Sequence, residues 1–266
     1  MNNSLSSSSR RAFQSRWNFS PRLTRCSVFL SHLLVLAGSL ALPAHAFKVV
    51  PMKITLAPQG REANGVFNVV NDGDETLAID VRFATREVDE EGNEKNVDAS
   101  DQFMVFPPQF ALKPQKVQTV RIRWIGKEPV KKELPFRLIV EQLPVKLNRE
   151  AQGNVQLNMA LRYLASVYVR PANASASVSL AVESFEVAGQ SKLGVIFENT
   201  GTRHTMLSDL AIQVASQGQQ QTLSPETLQS IEGTNLLAGS RRRFVLDWPA
   251  ALPVGEPKAK FQLGKR

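Results

Sequence analysis

The chain has 266 residues, with 32 Lys or Arg against 24 Asp or Glu and a formal net charge of +8. Its 15 Gly and 15 Pro are too few for a collagen-like or low-complexity chain, and its single Cys cannot pair within the chain. At about 100–200 residues per domain the length allows one large domain or two ordinary ones, and the basic surplus raises a nucleic-acid reading that depends on where the charges sit.

Residues 1–46 hold Arg10, Arg11, Arg16, Arg22 and Arg25 and no acid, followed by an apolar run from Cys26 to Leu42, then Pro43 and Ala44-His45-Ala46. A basic segment, a short apolar stretch and a small-x-small end read as a secretory signal peptide cleaved after Ala46. Ser31, His32, Gly38 and Ser39 interrupt the run and argue against a retained membrane span. Arg10-Arg11 faintly resembles a twin-arginine signal, but its distance from the apolar run favours ordinary secretion. The basic segment is unusually long, which leaves a later start codon open. Without residues 1–46 the chain has 220 residues and 27 basic against 24 acidic side chains, a net charge of +3. Cys26, His32 and His45 leave with them, so His204 is the one remaining histidine. The expected product is an exported protein with no disulfide, no His/Cys metal site, no cofactor and no stable membrane insertion, in the bacterial periplasm.

From Phe47 onward the chain reads as strands and turns. Val66–Val70 precedes the turn signal Asn71-Asp72-Gly73-Asp74, and Leu77, Ile79, Val81 and Phe83 then alternate with Ala or polar residues, the period of a half-buried strand. Glu90-Glu91-Gly92-Asn93 marks another turn. Phe106-Pro107-Pro108 interrupts pairing, because proline cannot donate to a ladder. Further strands are expected over Val117–Trp124 and Pro135–Leu143. Val155–Val169 is the longest alternation, with Val155, Leu157, Met159, Leu161, Tyr163, Ala165, Val167 and Val169 on one face. Such a run far exceeds the five or six residues of an ordinary strand. Arg170–Ser175 reads as a linker. A second series comes next over Val178–Val187, Leu193–Glu198, Leu210–Ala215, Arg243–Trp248 and Lys258–Leu263, and Asn199-Thr200-Gly201 echoes Asn71-Asp72-Gly73. The pattern predicts an all-β chain of two immunoglobulin-like β-sandwich domains, residues 47–170 and 171–266.

Catalytic material is sparse. A Ser/His/acid triad has only His204 to draw on, and that side chain reads as a surface-loop histidine. Glu87, Asp89, Glu90 and Glu91 read as a solvated hairpin tip; an enzyme, such as a carbohydrate hydrolase, would have to rest on them. Lys131-Lys132 and Arg241-Arg242-Arg243 are short and lack interleaved aromatics for base stacking, so no nucleic-acid partner is expected. The long alternating strand carries the functional signal. A long edge is an aggregation liability that proteins normally block, and one that is kept suits strand addition to another chain.

The sequence resembles the PapD-like periplasmic chaperones of chaperone–usher pili. The resemblance rests on the order and spacing of Val69-Val70-Asn71-Asp72-Gly73, Phe106–Pro114, Val120-Arg121-Ile122-Arg123, Phe136–Pro144 and Val167-Tyr168-Val169-Arg170-Pro171. It implies a boomerang of two immunoglobulin-like domains that stabilises pilus subunits by donor-strand complementation and hands them to an outer-membrane usher without ATP. The donor strand would place Leu157, Met159 and Leu161 in the subunit groove, with Val155 extending the row; each buried side chain is worth about 1.5–3 kcal/mol before ordering costs. The family also implies two basic residues that anchor the subunit's C-terminal carboxylate. Lys53 matches the first-strand position, but the second matching position is Ser166. The pattern around Arg162-Tyr163 is closer to the archaic branch, so Arg137 and Arg162 are the expected anchors, with Lys53 third. Arg121 and Glu133 match members of the family's inter-domain charge network. The alternative is that the chain is itself a pilus subunit or an exported two-domain adhesin.

Overall fold

The computed structural model describes residues 47–126, 129–144 and 160–264. The signal-peptide reading of residues 1–46, and the donor-strand positions Val155, Leu157 and Met159, lie outside these residues. The first part of the chain folds into β1 (Phe47–Val50), β2 (Lys53–Leu56), β3 (Asn64–Asn71), β4 (Leu77–Thr85), β5 (Glu87–Val88), β6 (Glu94–Lys95), β7 (Phe103–Phe106), β8 (Gln109–Leu112), β9 (Val117–Trp124), β10 (Leu134–Gln142) and β11 (Arg162–Val169). One sheet has the order β1-β3-β9-β7 and the other β2-β11-β10-β4-β8, while β5 and β6 form a hairpin. Pairing is antiparallel except between β2 and β11, which run parallel.

Alternation decides which side chains fill the space between the two sheets. Ile79, Val81 and Phe83 of β4, and Val120, Ile122 and Trp124 of β9, are buried, while Thr119, Arg121 and Arg123 face water. Phe103 stacks on Phe83 with ring centroids 3.7 Å apart and meets Trp124 and Phe136 edge-on at 5.1 and 5.0 Å. Aromatic contacts of this kind add about 0.5–1.5 kcal/mol each to the burial of the rings. The expected break at the prolines falls between β7 and β8.

A second core is built from β12 (Val178–Val187), β13 (Gln190–Asn199), β14 (Thr205–Leu207), β15 (Ala211–Ser216), β16 (Gln219–Thr222), β17 (Thr234–Leu236), β18 (Arg241–Asp247) and β19 (Pro257–Gln262). The sheets β12-β13-β18 and β16-β15-β19 enclose Leu193, Val195, Phe197, Ile212, Val214, Phe244 and Leu246. The chain is therefore all-β, with two immunoglobulin-like domains.

The Asn-x-Gly echo has the same job in both sandwiches. The Asn71 amide is buried and donates to the carbonyls of Glu75, Leu112 and Lys113, while its oxygen accepts from the Gly73 N–H. Asn199 is buried too, donates to Arg203, Leu236 and Leu237, and accepts from the Gly201 N–H. Each asparagine ties a strand end to two neighbouring chain segments and satisfies the carbonyls buried there.

Candidate functional site

The strand β11 is covered unevenly. On one side β10 pairs with all of Arg162–Val169, but on the other β2 reaches only Ser166–Val169. The Ser166 N–H donates to Met52 O and the Arg170 N–H to Leu56 O, each at 2.9 Å, so even-numbered residues turn their backbone groups toward β2. Gln142 N–H donates to Leu161 O at 2.9 Å, which puts the odd-numbered ones on the β10 side. Arg162 and Leu164 thus direct their N–H and C=O groups to a side where no described strand lies, an open edge of the kind that pairs with another chain. Side chains obey the other alternation. Leu161 and Tyr163 pack half-buried against the first core, with the Tyr163 ring 4.8 Å from Phe47, and Ala165 and Val167 are fully buried. Of the expected donor side chains, Leu161 alone is described, and it has the inward phase.

Where β2 begins, the open edge ends on a row of polar residues. Lys53 lies opposite Ser166, and Ser166 opposite Arg137. Arg137 is already engaged: its Nε and Nη2 donate to Glu94 at 2.7 and 2.6 Å, and Nη1 donates to Ser166 Oγ at 2.8 Å. Arg86 Nε donates to the same carboxylate at 3.0 Å. Burial alone would raise the Glu94 pKa, but the hydrogen bonds and charges of Arg137 and Arg86 outweigh it and bring it down to about 2. Lys53 is exposed and has no acidic partner among the described residues.

Arg162 lies elsewhere. It faces Glu141, to which its Nε and Nη2 donate at 3.1 and 2.5 Å, and Glu141 also takes Arg82 at 2.8 Å. Arg137 and Arg162 do sit on neighbouring strands, but Arg162 is opposite a residue four positions along from Arg137. That is about 13 Å at the rise of a strand, and the two guanidinium groups are held by different carboxylates, Arg137 by Glu94 and Arg162 by Glu141. The row that converges is Lys53, Ser166 and Arg137.

Behind this row a polar chain runs into the second sandwich. Arg86 Nη1 donates to the Tyr168 hydroxyl at 3.1 Å, and Asn235 Nδ2 donates to the same oxygen at 2.6 Å. The Tyr168 ring stacks on His204, with centroids 4.1 Å apart. His204 is therefore no surface-loop side chain: it is 9% exposed, because Tyr168 covers it and Glu133 holds it. Glu133 is 1% exposed and accepts from the His204 N–H at 3.0 Å, contacts His204 Nδ1 at 2.5 Å and pairs with Arg170. Burial pushes the Glu133 pKa up, yet His204 and Arg170 together hold it below the ordinary carboxylate range. The charge network expected of Glu133 thus exists with Arg170 and His204. Arg121 is not part of it, since it stands exposed on the outer face of β9 opposite Val66 and Phe106. Sequence reasoning missed Tyr168 and His204 because alternation assigns Tyr168 to an outer face, and the second sandwich covers that face.

The acidic hairpin also has a structural task. Asp89 accepts from the N–H groups of Gly92 and Asn93 at 2.8 and 2.7 Å, which closes the turn, and Glu90 O accepts from the Arg243 N–H of β18 at 2.8 Å.

Residues 48–175 match the family model described as the pili and flagellar-assembly chaperone, PapD N-terminal domain. The first sandwich thus belongs to the PapD-like chaperone family. That is a family of pilus chaperones and not of enzymes. Solved structures agree on the fold. A chain of the CsuC–CsuE chaperone–tip adhesion subunit pre-assembly complex, from the archaic chaperone–usher Csu pili of Acinetobacter baumannii, is 18% identical with a TM-score of 0.56, covering 77% of this chain and 89% of that one. The class 5 fimbriae chaperone CfaA is 14% identical with a TM-score of 0.51, covering 83% of this PapD-like chain and 100% of its own. A chain of the chaperone–tip adhesin complex of CFA/I fimbriae biogenesis is 15% identical with a TM-score of 0.51, covering 83% and 98%. A search of curated proteins returns no match. No helix among the described residues is long and apolar enough to cross a membrane.

Proposed function

We propose that this PapD-like chain is a periplasmic chaperone that stabilises pilus subunits by donor-strand complementation and delivers them to an outer-membrane usher, without ATP. The observation that carries the reading is the open edge of β11, which stops at the row Lys53–Ser166–Arg137. A client strand laid along that edge enters the slot that β2 occupies farther on. Since β2 runs parallel to β11, a client whose C-terminal end meets Lys53 also runs parallel to β11. Its backbone bonds to Arg162 and Leu164 supply affinity without regard to sequence. Val155, Leu157, Met159 and Leu161 then fill the groove of an incomplete subunit sandwich. The two chaperone–tip adhesin complexes among the similar structures support a pilus subunit as the partner.

Lys53 becomes the primary carboxylate anchor, with the Ser166 hydroxyl and Arg137 behind it, and Arg162 steadies Glu141 instead. Co-expression with a pilus subunit tests this. Lys53→Asp should abolish recovery of soluble subunit, whereas Arg162→Gln should leave most of it. Equal recovery with Lys53→Asp and the parent chain would contradict the anchor. Leu157→Asp with Met159→Asp should keep the chaperone folded and remove the subunit from the complex.

A further inference from the structure

Arg137 has the position of an anchor but not the availability. Its Nε and Nη2 are committed to Glu94, and Nη1 is shared between Ser166 Oγ at 2.8 Å and Leu164 O at 3.4 Å. That accounts for four of the five N–H groups of a guanidinium. The carboxylate that takes it comes from far along the chain, on β6, and the same carboxylate also holds Arg86. Two guanidinium groups, Arg86 and Arg137, thus share the one carboxylate of Glu94, and Lys53, across Ser166 from Arg137, has no acidic partner among the described residues.

We infer that Glu94 is an internal carboxylate competing with the client's C-terminal carboxylate for Arg137, so that it sets how tightly acid-terminated chains are held at the end of β11. This rests on the anchor reading given above. With Glu94 in place, Arg137 and Glu94 form a compact pair whose field largely cancels at Lys53. Without it, the Arg137 guanidinium becomes a second cation facing the client's carboxylate beside Lys53.

The hairpin that delivers Glu94 is itself fastened to the second sandwich. Glu90 O accepts from the Arg243 N–H, and Glu90 Oε1 lies 3.5 Å from Arg241 Nη1. The Arg242 guanidinium lies over Gly92, whose φ of +99° and lack of a side chain let it approach, since a Cβ there would fall 2.2 Å from Nη2. The grip of Glu94 on Arg137 therefore depends on contacts between the first sandwich and β18.

The test uses the whole exported chain and a short synthetic peptide of alternating valine and threonine with a polar N-terminal tag. The peptide is made with a free C-terminal carboxylate and, separately, as the amide, and binding is measured by calorimetry. Glu94→Gln should tighten binding of the acid by about ten-fold or more; one extra charge at about 6 Å and an effective dielectric of about 20 sets a ceiling of roughly a hundred-fold, which solvent screening lowers. Binding of the amide should not change. Glu94→Gln with Arg137→Gln should return the acid to near the parent affinity, which separates competition from a loss of folding. If Glu94→Gln leaves the acid unchanged or weakens it, Glu94 is a prop for Arg137 and the inference is overturned. Lys53→Gln tests the underlying reading: if it fails to weaken the acid in the parent chain, the anchor itself is wrong. Failure of both peptides to bind the parent and Glu94→Gln chains overturns both.

Discussion

Replacing Glu133 by alanine should break the join between the two sandwiches. The carboxylate is almost fully buried and serves the His204 backbone N–H, the His204 ring and the Arg170 guanidinium at once. Alanine removes all three acceptor contacts and leaves the His204 N–H without a partner at a position only 9% exposed. A hydrogen bond to a charged group is worth about 1.5–3 kcal/mol, but the three contacts share one carboxylate and do not add. Removing one member of a buried charge pair costs about 3–5 kcal/mol, and Arg170, which reaches water, keeps the figure toward the lower end. At about 2–4 °C per kcal/mol for a chain of this size, the melting temperature should fall by about 6–15 °C. Differential scanning calorimetry of Glu133→Ala is the assay, and the two sandwiches should also begin to melt separately as their coupling is lost. A fall of under about 2 °C with a single unchanged transition would refute the idea that Glu133 joins them.

Acid should weaken the fold in a defined window. Glu94 and Glu133 both have folded-state pKa values below their unfolded ones, so they contribute fully above about 4.5 and lose that contribution as pH falls through the folded values, for Glu94 about 2. Urea denaturation at pH 6, 4 and 3 should show this decline, and Glu94→Gln with Arg137→Gln should remove on the order of 1–2 kcal/mol of it after allowance for solvent screening. Asn71→Ala and Asn199→Ala should each cost about 2–4 kcal/mol, because each strands buried carbonyls of two neighbouring segments. Chemical denaturation monitored by the fluorescence of Trp124 in the first sandwich and Trp248 in the second should place the two losses in different domains.

Local periodicity made the inward faces of the strands legible in the sequence. The alternation of Leu77, Ile79, Val81 and Phe83, and of Val120, Ile122 and Trp124, marks those faces directly, and the inward phase of Leu161, Tyr163, Ala165 and Val167 is legible in the same way. The paired Asn-x-Gly turns point to two similar modules, although their amides' role in binding distant carbonyls needs the fold. Charge pairing is not legible. Arg137 and Glu94 are 43 positions apart and meet only because the β5–β6 hairpin folds across β10, and nothing local marks that. His204 looks exposed beside Thr202-Arg203 because its cover, Tyr168, comes from the other sandwich. The register of β10 against β11 likewise decides that Arg162 meets Glu141, a four-residue difference that no single-strand pattern contains.

In the proposed complex a client strand pairs with the open edge of β11 and ends at Lys53. Residue-resolved hydrogen exchange of the chain, free and in complex with a pilus subunit, tests it most directly. The Arg162 and Leu164 amides, which face the side with no described strand, should gain strong protection in the complex. The Ser166 amide, already bonded to Met52, should change little. Arg162 and Leu164 amides that exchange equally fast with and without a bound subunit would contradict it.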